Sequence, residues 1–289
     1  MANGASLAGG PVGMMVIPPT MEYLLSVYGW NAALGLLASL STNLVVCGAV
    51  LRHCKTMRGR YQPLDGQNDS QTETTTARNS PEKGKEGALQ VLRKFFNVEL
   101  ITQPIFIVYQ VLILCVGLIY SMWHLFLIPL GVQLGHGETL SAFLATFGGL
   151  GTLAGRLGHG YPIDRKLTQS TSVFLGALLL LAASSLLNPL VKTSFIGLAT
   201  LAVISGVPIG VIFPLTYLLM EEDFDMSDTA LGWLFCSLGT GMVVGGFSAG
   251  WIHDVSDDYN IVFVAIGVLS IVMAFILSLT RCFAGPKDK

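Results

Sequence analysis

Over 289 residues the chain is 52% hydrophobic and only 12% charged, with a mean hydropathy of +0.63. Soluble domains carry about 25% charged residues, so a chain with half that density lacks a water-compatible surface unless lipid covers most of it. The net charge of −2, with the bases spread along the chain rather than gathered on one amphipathic element, offers no surface for nucleic acid, which is not expected as a partner.

The opening MANGASLAGG has no basic stretch ahead of an apolar one, so it is not a secretory signal peptide. A hydrocarbon core of about 30 Å needs roughly 20 mainly apolar residues per helix. Eight stretches reach that length, at 5–27, 31–51, 100–128, 139–160, 171–191, 194–219, 229–252 and 260–282. They are far too long for barrel strands and lack two-residue alternation. The first is rich in glycine and carries Pro11, Pro18 and Pro19, which membrane helices tolerate when neighbours cover the backbone. Its Gly9-x-x-x-Gly13 spacing reads as a close-packing face, as do Gly206-x-x-x-Gly210 and Gly241-x-x-x-Gly245 further on.

Residues 53–88 break the pattern with Gln, Asn, Asp, Ser, Thr and Lys. That composition cannot bury enough surface to fold, so a disordered loop is expected, with residues 89–98 as an interfacial lead-in to the next span. If eight spans alternate, 14 of the 16 Lys and Arg residues fall on one side, Lys192 alone falls on the other, and Arg156 lies within a span. The positive-inside rule makes the first side cytosolic, including loop 53–98 and the C-terminus. Asn68-Asp69-Ser70 matches a glycosylation sequon but falls on that cytosolic side, so it is expected to stay unmodified.

In the third span His124 lies beside Trp123 and Tyr120, as in an aromatic belt. The fourth span carries Arg156, with Thr152 one turn before it on the same face. A guanidinium within hydrocarbon is costly and usually lines a cavity, and it binds carboxylates bidentately. The alternatives are that Arg156 snorkels to the nearby interface or braces helices within the protein. Pro208 and Pro214 are expected to bend the sixth span. The five cysteines are scattered and read as free thiols, and no His, Cys or carboxylate grouping fits a metal, so neither metal nor cofactor is expected. There is no Walker loop, G-x-S-x-G or H-E-x-x-H, and no enzyme activity is expected.

Short strings along most of the chain carry a family resemblance. They are Ala2-Asn3-Gly4 with Gly9-Gly10-Pro11-Val12-Gly13, Tyr28-Gly29-Trp30, Asn43 with Cys47-Gly48-Ala49, Ser141-Ala142-Phe143-Leu144 leading into Gly155-Arg156, Gly160-x-x-x-Asp164-Arg165, and Gly250-Trp251-Ile252-His253-Asp254 with Tyr259. In order and spacing the chain resembles the monocarboxylate transporter family of the major facilitator superfamily. The resemblance implies an all-α membrane bundle, of about eight transmembrane helices here against a family pattern of twelve, with the first four absent. Residues 1–52 would be the last two helices of the N-terminal bundle, 53–98 the cytosolic loop, 99–283 the C-terminal six-helix bundle and 284–289 a cytosolic tail.

It implies a carrier, in the plasma membrane, of monocarboxylates or related small organic anions or amphipathic solutes. Alternating access would move the solute, and a single-span accessory membrane protein is a conceivable partner. Arg156 and Thr152 would contact the solute. Gly160, Asp164 and Arg165 would form a charge relay that helps hold one side closed, with Asp254 in a gating role at the opposite face. The chain departs from the family at Thr152, where proton-linked members have aspartate, and at Gly246-Phe247, where a double proline is usual; both count against proton coupling. The alternative expectation, raised by the four missing helices, is a truncated, non-transporting membrane protein that associates with full-length carriers.

Overall fold

Long apolar runs leave the backbone one way to satisfy its own N–H and C=O groups away from water, and each becomes a helix. The computed structural model describes residues 8–58, 103–165, 167–191, 194–223 and 228–284. Their regular structure is helical: α1 (Gly9–Arg58), α2 (Pro104–Gln133), α3 (Glu138–Gly158), the short α4 (Gly160–Asp164), α5 (Ser170–Leu187), a 3-10 turn (Asn188–Leu190), α6 (Phe195–Asp223), α7 (Asp228–Ser256) and α8 (Tyr259–Ala284). Among the described residues, seven helical stretches are long and apolar enough to cross a membrane. The chain is an all-α membrane bundle. The Asn68 sequon, the lead-in at 89–98 and most of the expected loop lie outside the described residues.

The count of seven takes as one stretch two helices that meet at a break at Gly29, and so agrees with the eight spans expected from the sequence. The two expected spans at 5–27 and 31–51 correspond to the helices on either side of Tyr28-Gly29-Trp30, where the helix is broken. Only Gly29 leaves helical dihedrals, at φ 75 and ψ 174, a region open to glycine alone. The apolar part, Gly9–Val50, has 42 residues. At 1.5 Å per residue that is about 60 Å, roughly twice a hydrocarbon core, so its length still corresponds to two crossings. The helix runs on to Arg58, into the sequence expected as loop.

Two compact units divide the chain, Met1–Glu22 with Arg93–Lys289, and Tyr23–Leu92. In the second, the hydroxyls of Ser39, Ser41 and Thr42 and the amide of Asn43 donate to carbonyls three or four residues back. These polar groups are thus satisfied within their own helix, beside exposed Leu40, Leu44 and Val45.

The first unit is built on two glycine seams, each between helices running the same way. On α3, a Cβ at Gly151 or Gly155 would strike the carbonyls of Val203 or Val207 of α6. In return, Gly206 and Gly210 face the carbonyls of Gly148 and Thr152. On α2, Gly117 meets Leu238 and Gly241 of α7, while Gly241 and Gly245 meet Leu114 and Leu118. Small residues let backbones approach closely where lipid supplies no hydrophobic drive for helices to associate. The faces expected at Gly206/Gly210 and Gly241/Gly245 are used in this way. Gly9 and Gly13 are not: a Cβ at Gly9 would meet open space, and one at Gly13 would meet only Ile17 of its own helix. Trp123, Phe106, Phe174 and Phe263 are the bulkiest fully buried side chains of the core.

Both ends of this unit are tied by polar side chains. At one end the Gln133 amide donates to the Asp257 carbonyl (2.6 Å), and its Oε1 accepts from the Tyr259 N–H (2.8 Å). Asp258 caps α8 by accepting from the Asn260 N–H at 2.9 Å. At the other end the Tyr109 hydroxyl donates to Asp223 (2.5 Å), and Arg281 pairs with the same carboxylate at 3.2 Å. Ser170 donates to Glu222 at 2.7 Å, joining the start of α5 to the end of α6. The expected free thiols hold for Cys47, Cys115, Cys236 and Cys282, none of which is in a disulfide.

Candidate functional site

Arg156 sits in the last turn of α3, where the partial negative charge of a helix C-terminus favours a cation. Its side chain is only 5% exposed, so the guanidinium is turned into the protein rather than extended outward. It lies over the ring of Phe213 on α6, with Cζ 5.7 Å from the centroid, in cation–π geometry. On its other side is α1, where a Cβ added to Gly10 would lie 3.2 Å from Nη1.

The segment of α1 within this unit runs along α3. Thr146 donates to the Met15 carbonyl at 2.9 Å, and a Cβ at Gly149 would meet the Met15 side chain and, at 3.1 Å, the Pro11 carbonyl. Thr146, Gly149 and Arg156 therefore form the face of α3 toward α1, while Gly151 and Gly155 form the face toward α6. Thr152 belongs with the second group. It is 1% exposed, its hydroxyl donates to the Gly148 carbonyl (2.9 Å), and its backbone is the surface that Gly210 meets.

An aromatic group from α2 borders the same region. His124 stacks on Tyr120 with centroids 3.8 Å apart, and Trp123 meets its edge at 5.0 Å. The His124 Nδ1 donates to the Tyr120 carbonyl at 2.7 Å, leaving Nε2 as the ring's acceptor in the neutral form. Tyr120 is 6.4 Å from Phe213, the ring beneath Arg156. The Trp123 indole N–H donates to Ser205 of α6 at 3.0 Å, and Gly148 leaves room for its ring against α3. Aromatics of α2 and α6 thus line up beside the one buried guanidinium among the described residues.

The other sequence candidates lie elsewhere. Gly160 opens α4 and is buried, and Arg165 is exposed with its guanidinium over the Tyr161 ring at 4.7 Å. The side chain of Asp164 is outside the described residues, so no relay partner is assigned to Arg165. Asp254 is at the opposite end, its side chain 81% exposed and 3.7 Å from His253. No group of His, Cys, Asp and Glu suited to a metal occurs among the described residues.

Sequence reading gave no site role to Gly10 and passed over Phe213 and the Tyr109–Asp223–Arg281 cluster. The last left a trace, an acidic residue at one span end and a basic one at another. The first two left none, because their roles come from contacts between distant elements.

The sequence profile described as Major Facilitator Superfamily matches residues 1–235. The chain is 23% identical over 288 residues to "Monocarboxylate transporter 12-B" of Danio rerio, covering 96% of this chain and 60% of that protein. It is 24% identical over 293 residues to "Monocarboxylate transporter 4" of Gallus gallus (99% and 57%) and 25% identical over 309 residues to "Monocarboxylate transporter 13" of Bos taurus (100% and 62%). The chain spans about three-fifths of the length of these curated relatives. With its helical bundle, its glycine seams and a profile match over most of its length, the chain belongs to the major facilitator superfamily and is similar to its monocarboxylate transporters.

Proposed function

We propose that the protein carries small organic solutes with a carboxylate group across a membrane, and that Arg156 takes the carboxylate. The observation that supports this most is the burial of that guanidinium between an α6 ring and the glycine-rich start of α1. A charge in such a place is costly to keep unless it has work to do. Guanidinium presents N–H donors in a planar fork that matches a carboxylate. The aromatic neighbours suit the apolar part of a small organic acid, and the relatives are named for monocarboxylates.

Thr152 enters the proposal through packing, since it holds α3 against α6 one turn before Arg156. Gly160, Asp164 and Arg165 lie at the membrane end that also carries Arg281, which the positive-inside rule assigns to the cytosol. Asp254 then lies at the outer end. Carriage follows alternating access, with one helix group rocking against another around a fixed site.

The test is uptake of labelled small monocarboxylates by the chain in proteoliposomes, compared for wild type, Arg156→Lys and Arg156→Ala. Loss of a charge-assisted bond of about 1.5–3 kcal/mol corresponds to affinity weakened roughly 10- to 150-fold for the alanine variant. The lysine variant falls between, because an ammonium keeps the charge but not the fork. Undiminished saturable uptake by Arg156→Ala removes Arg156 from the site.

A further inference from the structure

A second polar locus is buried between α5 and α6, with α2 and α8 closing it. Ser184 and Ser185 from the end of α5, Asn188 from the 3-10 turn after it, Ser205 from α6, and the apolar Leu127 and Phe263 line a small cavity there. It offers about 10 Å³ to the centre of a water-sized group, the room of about one molecule. Ser185 is 1% exposed, and its Oγ has no hydrogen-bond partner among the described residues. Ser184 donates to the Leu181 carbonyl at 3.1 Å, and Ser205 accepts from Trp123, so each keeps a lone pair available.

A buried hydroxyl without a partner is expensive anywhere, and more so in a membrane-spanning bundle, where lipid offers it none. A serine in a helix usually satisfies itself on a carbonyl one turn back, as Ser184 does. That Ser185 does not do so, and instead lines a cavity with three other polar side chains, points to a ligand that both donates and accepts. The lining holds no carboxylate and no base, so an ion of either sign would lack a counter-charge. We propose that the cavity is a binding site for one water molecule, held by Ser185 and shared with Ser184, Asn188 and Ser205 across α5 and α6. The water also braces Ser205, which seats the Trp123 indole. This inference does not depend on transport.

The sign of one substitution tests it. The full chain, purified in detergent, is unfolded thermally as wild type and as Ser185→Ala. If water occupies the cavity, the alanine strips it of a partner and the midpoint falls by about 2–4 °C. If the cavity is dry, the substitution removes an orphaned hydroxyl, and a midpoint that holds or rises overturns the proposal. A density map of the chain that resolves ordered solvent supplies a second readout. A peak within hydrogen-bond distance of Ser185 Oγ in wild type, absent from Ser185→Val, supports the site. An empty cavity in wild type overturns it.

Discussion

A methyl group at Gly10 would approach Arg156 Nη1 to 3.2 Å, so the guanidinium would have to give by a few tenths of an ångström. Off-rotamer strain of roughly 1 kcal/mol is about fivefold in affinity. With Arg156 in its proposed role, Gly10→Ala is expected to weaken carboxylate binding about three- to tenfold in an equilibrium assay. Gly9→Ala, where a Cβ meets open space, should bind as wild type does. Equal behaviour of the two variants would separate Gly10 from the site. That Arg156 lies within an apolar run was legible in the sequence, and its burial agrees with the reading that its side chain turns into the protein. The places of Gly10 and Phe213 were not legible, since which residue of α1 or α6 comes to lie beside a given residue of α3 depends on packing that no single-helix pattern encodes. Thr152 shows the same limit. Four-residue spacing gave its relation to Arg156 within α3, but not that its own contact is with Gly210 of α6.

For the helices, the glycine seams carry the sharpest prediction. A Cβ at Gly151 would collide with the Val203 carbonyl, a backbone atom that cannot swing aside. Gly151→Ala is expected to cost about 1–3 kcal/mol through overpacking. Gly158→Ala, on the same helix but facing open space, should stay within about 0.5 kcal/mol of wild type. Denaturation of the purified variants in detergent gives both values, and a harmless Gly151→Ala would mean that α3 and α6 are not in close contact. Two of the three small-residue spacings in the sequence turned out to be seams. The third, at Gly9 and Gly13, did not, because spacing alone does not distinguish a packed face from an open one. Span positions were legible throughout the second half of the chain from hydropathy. The junction at Gly29 was legible as well: the spans expected at 5–27 and 31–51 leave 28–30 between them, where the backbone departs from helical dihedrals.

Across the whole first unit, the Tyr109–Asp223–Arg281 cluster ties α2, α6 and α8 at one end. Arg281→Leu removes one cation from the Asp223 carboxylate, which is 10% exposed. Arg281 itself is 29% exposed and partly screened, so the loss is expected near 1–3 kcal/mol rather than at the upper range for buried pairs. A double-mutant cycle with Asp223→Leu should recover part of that loss, and purely additive effects would show that the two side chains do not interact. The cluster could not be assembled from sequence, since its members lie on three separate helices. The direction of the seams has a further consequence, for the order of synthesis. Successive crossings alternate in direction, so two helices that run the same way always have another between them in the chain. The α3 seam is completed only once α6 has been made, and the α2 seam only with α7, whose Ser237 bonds Gln110 across 127 residues. At the roughly 5–20 residues per second of translation, the glycine face of α2 is without its mate for on the order of ten seconds in every molecule made. That interval is when the nascent chain is most open to pairing with the wrong helix.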